Sequence, residues 1–180
     1  PPAPPQLLKP IEITPNTSEK SLSDMLADGD IDAILGSRMP NSVRTQPDKV
    51  GHLFPNFRDE EKRYYQEHRI HPIMHTVVIR KDIYAENKWM AQSLFKAFQA
   101  AKEWAVEQMY FSGAQKYMLP WLFDDLREID EIFGGDPWPY GIDENRPTLE
   151  AFVKYMHQQN FIPEILAVED LFAPIHGRVD

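Results

Sequence analysis

His71-Pro72-Ile73-Met74-His75-Thr76-Val77-Val78-Ile79-Arg80 is the run on which the fold turns. Its density of β-branched residues predicts a strand, with Pro72 tolerated only near the start. Lys81-Asp82 should end it. Upstream, a charged helix is expected over 58–68, preceded by an irregular connection over 41–57 that contains Pro47 and Pro55. Before that, Asp30-Ile31-Asp32-Ala33-Ile34-Leu35-Gly36 reads as a short buried strand bounded by glycines, delivering Ser37-Arg38-Met39-Pro40 at its end. Ser21 and Asp24 form a capping-box pattern ahead of Leu22, Met25 and Leu26, and Gly29 supplies a left-handed stop, so a helix is expected over 21–28.

Downstream of the 71–80 run the period changes from two to between three and four. Asn87 is placed to cap a long helix whose apolar stripe runs Met90, Leu94, Phe95, Phe98, Ala101, Ala105, Met109 and ends before Gly113. Pro120 should open a second, with Leu122, Leu126, Ile129 and Phe133 on one stripe and Gly134-Gly135 beyond it. Pro147 should begin a third, carrying Leu149, Phe152, Val153 and Met156. Pro163 and Pro174 bracket a last short helix, and no internal repeat is visible. Two strands do not make a stable sheet by themselves. The expectation is an α/β fold whose remaining strands lie in a missing N-terminal half or a complementary chain.

The chain has 180 residues, 42% hydrophobic and 26% charged, which is a globular composition. Six of the 16 prolines lie in the first 15 residues, so 1–20 reads as a linker or a cut edge. A formal charge of −9 argues against a nucleic-acid partner, since phosphate binding rests on clustered Lys and Arg. The absence of cysteine removes disulfides, thiol nucleophiles and thiolate metal sites, and fits a reducing compartment. No run approaches the roughly 20 apolar residues of a membrane helix, and no secretory pattern opens the chain.

No nucleotide-binding, hydrolase-elbow or zincin motif is present. His71 and His75 would share a metal on a helix, but on a strand they sit about 13 Å apart, too far for one ion. No metal is assigned. Each could instead exchange protons near neutral pH, or simply be hydrogen-bonded at a sheet end. Arg38, past the end of a predicted strand, suits a carboxylate, or equally a surface ion pair. Asp124, Asp125, Glu128, Asp130 and Glu131 read as a solvated helix face. Trp121 to Phe123 and Trp138 to Tyr140 read as packing, and His157 as a partly buried structural residue.

Several ordered segments carry a family resemblance: Leu22 to Ala33, Leu53-Phe54-Pro55, His71-Pro72-Ile73-Met74-His75, Trp138-Pro139-Tyr140-Gly141 with Asn145-Arg146, and Leu171-Phe172-Ala173-Pro174. Together they closely resemble the C-terminal half of the 4,5-dihydroxyphthalate decarboxylase family. The resemblance implies a two-lobed type II periplasmic-binding-protein-like fold, with 21–45 ending the second lobe and 46–180 returning to the first. It implies a cytoplasmic enzyme that decarboxylates a dihydroxylated aromatic diacid without a cofactor. Ser37, Arg38 and Met74 would then contact substrate, Arg38 anchoring a carboxylate, while His71 and His75 would serve as acid and base. Partners implied are a small aromatic carboxylate, the missing half or a complementary chain, and a second copy in a homo-oligomer. The rival readings are a noncatalytic solute-binding protein for a small carboxylate and a noncatalytic half-protein.

Overall fold

Ser21 caps the first helix as its spacing requires: its Oγ accepts the Asp24 amide at 3.1 Å, and the Asp24 carboxylate accepts the Ser21 amide at 3.3 Å. Helix α1 runs Leu22–Asp28 and stops at Gly29, whose φ of 79° is left-handed. The Gly29 amide donates to Leu26 and the Asp30 amide to Met25, which is the Schellman pattern. That closure has a consequence for the next segment. Asp30 is drawn back onto the helix, and Lys20 bridges Asp28 and Asp30 at 2.8 and 2.7 Å. Residues 30–36 therefore leave the helix through bends, with Leu35 fully exposed, and form no strand.

Residues 7–114 and 116–175 are described here, from a computed structural model; the first part of the proline-rich 1–20 segment lies outside them. After α1 come α2 (Asn41–Thr45), α3 (Phe57–His68), α4 (Lys81–Glu86), α5 (Trp89–Tyr110), α6 (Leu122–Phe133), α7 (Ile142–Gln158) and a 3-10 turn over Val168–Leu171. Among the described residues there is no strand. The α/β, periplasmic-binding-protein-like fold expected above is thus corrected to an all-helical architecture. Residues 69–80 continue unbent, without helix or turn, and among the described residues no neighbouring segment pairs with 72–79. A strand exists only through its ladder, and β-branched composition cannot substitute for a partner.

Other boundaries shift for local reasons. Asn87 closes α4, its amide donating to Ile83 and Tyr84, rather than capping α5. Helix α7 begins at Ile142, with Pro147 inside it. The Asn145 side chain fastens that first turn by donating to the Pro139 and Gly141 carbonyls at 2.6 and 2.9 Å. Proline removes the amide that would reach back to residue 143, so the turn relies on such side-chain bonds.

The chain divides into two compact units, Pro10–Arg63 and a second whose described residues are 7–9 and 64–175. In the first, α1 is tied to α2 by the Ser23 hydroxyl, which accepts the Ser42 amide at 2.9 Å and donates to Ser42 Oγ at 3.0 Å. Ser42 is buried, so this pairing satisfies a polar group cut off from water. In the second, the stripe on α6 buries Leu122 and Leu126, and α7 buries Leu149 and Val153. Val168 of the 3-10 turn is buried as well. Tyr110 at the end of α5 donates to Asp130 of α6 at 2.8 Å.

Candidate functional site

The densest convergence of chemically useful side chains lies in the second unit, around His71. Thr148 of α7 grips its backbone on both sides: the His71 amide donates to Thr148 Oγ1 at 3.1 Å, and the Thr148 hydroxyl donates to the His71 carbonyl at 3.2 Å. Rings from three elements enclose the imidazole. Tyr65, in the last turn of α3, stands edge-on with centroids 6.2 Å apart, and Phe133, closing α6, stands edge-on at 5.0 Å. Trp138, from the loop before α7, is tilted at 5.9 Å. Tyr65 and Phe133 also touch each other at 4.4 Å. Such edge-to-face arrangements place the positive ring edge against a negative face, which fixes ring orientation.

Arg69 lies beside this box. Its φ of 56° is left-handed, unusual for a residue with a Cβ, and its amide closes α3 by donating to Tyr65 at 2.7 Å. The guanidinium stacks over the Tyr65 ring, 5.4 Å from the centroid. The side chain is exposed and takes part in no ion pair among the described residues. A planar cation resting on an aromatic face, with its donors unclaimed by an acid, suits a carboxylate.

The loop bearing Trp138 is held by Lys102 of α5, whose side chain is only 14% exposed. Its ammonium pairs with Asp136, donates to the Trp138 carbonyl at 3.0 Å, and lies 4.2 Å over the Tyr140 ring. Asp136 in turn accepts the Trp138 amide at 2.9 Å. The loop is therefore rigid for electrostatic reasons, and Trp138 is presented to His71 from a fixed base.

The other residues singled out by sequence fall elsewhere. Met74 and His75 are exposed on the unbent 69–80 segment. Because that segment is not helical, His71 and His75 do not share a helix face. Ser37 and Arg38 belong to the Pro10–Arg63 unit, where both are exposed and Arg38 has no ion pair among the described residues. His157 bonds the Ile162 carbonyl through Nδ1 at 3.3 Å. Of the acids on α6, Asp130 is engaged by Tyr110 and Asp124 pairs with Arg127 at 3.2 Å. Among the described residues, no three His, Asp or Glu side chains gather as a metal site would require.

A concavity of about 250 Å³ lies between α7 and residues 165–169. Arg146 stands at its rim but is claimed by acids, at 2.7 Å from Glu169 and 3.2 Å from Asp143. Arg146 holds the Glu169 carboxyl below its usual range. With its fork committed, Arg146 is a structural clasp. Sequence reading missed Arg69 and Lys102. Arg69 carries no glycine or asparagine to flag its backbone, and Lys102 reads as one more polar residue on a helix; proximity of Arg69 to His71 was the only legible signal.

The site so defined is an imidazole in an aromatic box with a cation alongside. No protein-family model matches the chain. Over 155 residues, 86% of its length, it is 31% identical to the 4,5-dihydroxyphthalate decarboxylase of Comamonas testosteroni. The match spans 47% of that protein, so the chain covers about half the length of this relative. This is a distant relation to that decarboxylase family. No helix among the described residues is long and apolar enough to cross a membrane.

Proposed function

We propose that the chain contributes the proton-transfer part of a decarboxylase acting on a dihydroxylated aromatic diacid of the 4,5-dihydroxyphthalate type. The observation that carries this reading is the 155-residue match to a decarboxylase named for that substrate. The box around His71 supports it chemically. In such a substrate one phenol lies para to the departing carboxylate. Removing its proton pushes charge onto the ring carbon bearing that carboxylate. Protonation there is followed by cleavage of the carbon–carboxylate bond, whose electron pair restores the aromatic ring as carbon dioxide leaves. One proton enters the ring, one carbon dioxide departs, and the product is 3,4-dihydroxybenzoate. The ring is its own electron sink, so the step calls for an acid, a base and a cation rather than an organic cofactor.

His71 is assigned the proton transfer, because a general acid or base needs a fixed orientation and its backbone and ring are both held. His75 is the second proton-transfer candidate. Arg69 is assigned the retained carboxylate, within the same unit as His71. Met74, on the same unbent segment, is assigned as a substrate contact. On their own unit, Ser37 and Arg38 are proposed as a separate carboxylate contact. A cysteine-free chain suits the reducing cytoplasm, where we place the reaction.

The test is to supply the protein with 4,5-dihydroxyphthalate and follow carbon dioxide and 3,4-dihydroxybenzoate together. Stoichiometric appearance of both is expected. Tight binding of the diacid without turnover would replace the enzyme by a carboxylate-binding protein.

A further inference from the structure

Trp138 is anchored more firmly than its burial calls for. The loop between α6 and α7 passes through Gly135 and leaves through Gly141, whose φ values of 123° and 104° are ones that side chains resist. A loop hinged in this way takes its position from its tethers. Asp136 accepts the Trp138 amide, and Lys102 of α5 binds both Asp136 and the Trp138 carbonyl. Asn145 of α7 binds the Pro139 and Gly141 carbonyls. Both polar groups of the Trp138 backbone are thereby fixed, and a lysine with little exposure is committed to holding them.

The side chain held in this way is 58% exposed. The packing role expected from sequence leaves that exposure unexplained. One side of the indole meets the His71 imidazole, with centroids 5.9 Å apart, while much of its remaining surface is open to water. A flat apolar surface fixed beside an imidazole suits another flat ring. Stacking removes apolar area from water on both partners, and offset rings attract through their quadrupoles.

We propose that Trp138 is the specificity-determining residue of the site, the wall on which an aromatic ring stacks beside His71, and that Lys102 is its positioning residue. The inference rests on the decarboxylase reading for the class of ligand, an aromatic diacid, and adds what selects the ring rather than the carboxylates. Lys102 fixes the loop backbone, so its effect on a ligand passes through the indole. A saturated ring bearing the same two carboxylates is puckered and has no π face, and it gains little from the wall.

The experiment titrates the protein with phthalate and with cis-hexahydrophthalate, which carry the same neighbouring carboxylates on a flat and on a puckered ring. Binding is followed through the His71 ring protons by NMR. Neither probe has the phenol that the proposed reaction deprotonates, so affinity is read without turnover. The protein is expected to favour phthalate. Trp138→Leu should cut that preference about three- to tenfold, the scale of an aromatic pair, and Trp138→Phe should retain most of it. Lys102→Met should cut it to a similar extent, and Lys102→Met/Trp138→Leu no further than Trp138→Leu alone. Because Lys102→Met leaves Asp136 without its cation, Lys102→Met/Asp136→Asn is measured beside it, with circular dichroism checking the helices of each variant. Equal affinity for the two probes, no binding of phthalate, or a preference untouched by Trp138→Leu would overturn the inference. Additive losses in Lys102→Met/Trp138→Leu would overturn the role of Lys102. A protein that selects phthalate through Trp138 yet releases no carbon dioxide from 4,5-dihydroxyphthalate would sink the decarboxylase reading and uphold this one.

Discussion

Thr148 and His71, 77 residues apart in sequence, are joined through both polar groups of the His71 backbone, at 3.1 and 3.2 Å. A hydroxyl carries one donor and two acceptor lone pairs, so the single threonine serves here as acceptor and donor at once. The pair sets where the imidazole stands relative to the rings of Tyr65, Phe133 and Trp138.

Thr148→Val removes both bonds while keeping the shape. Each ordinary hydrogen bond contributes about 1 kcal/mol, so a loss of about 1 to 2 kcal/mol in denaturant unfolding is expected. Thr148→Ser should recover most of it. Equal stability of the Val and wild-type proteins would show that the clamp contributes nothing.

His71→Gln in the active protein should lower kcat by about 10²- to 10⁴-fold, the range of a positioned general acid or base, with KM within a few-fold. The matched His75→Gln, at an exposed position, should change kcat by only a few-fold. Steady-state kinetics on 4,5-dihydroxyphthalate decide between them. The reverse ranking would move the proton transfer to His75.

Arg69→Met should weaken binding of a phthalate-type diacid. A charged hydrogen bond contributes about 1.5 to 3 kcal/mol, and solvent exposure of Arg69 places the expectation at the low end, about tenfold in Kd. Calorimetric titration of Arg69→Met beside Arg38→Met separates the two arginines. If only Arg38→Met weakens binding, the carboxylate contact belongs to the Pro10–Arg63 unit.

Ser21→Ala removes the side-chain half of the α1 capping box, while the residue 21 amide can still donate to the Asp24 carboxylate, and should cost about 1 kcal/mol. The Asp24 amide loses its acceptor, so its hydrogen exchange should accelerate. Unaltered exchange there would mean that the box does not close in solution.

Acid should release the clasp between α7 and the 3-10 turn. The Arg146 hydrogen bond holds the Glu169 carboxyl below its ordinary value of 4.5. A lowered carboxyl favours the folded state fully above its ordinary value and loses that contribution as pH falls through the folded one. Stability should therefore decline below about pH 4.5, and Glu169→Gln should flatten that part of the profile. An identical acid limb in Glu169→Gln would remove the clasp from the account.

The sequence by itself determined the helices whose causes are local. Ser21 with Asp24, Gly29, and the Leu122–Leu126 stripe act over three to five residues, so spacing alone reports them. It also placed the helical stretches around Phe95 and Val153, while missing α2, α4 and the true start of α7, where side-chain bonds such as that of Asn145 set the boundary. What tertiary structure alone decided is the state of residues 71–80 and the surroundings of His71. A β-branched run states a preference for pairing but not whether a partner is present, and here none lies among the described residues. Likewise Tyr65, Arg69, Phe133, Trp138 and Thr148 come from separate stretches of chain, and no spacing rule connects them. Their convergence on one imidazole follows from how α3, α6 and α7 pack, a non-local outcome that residue patterns do not encode.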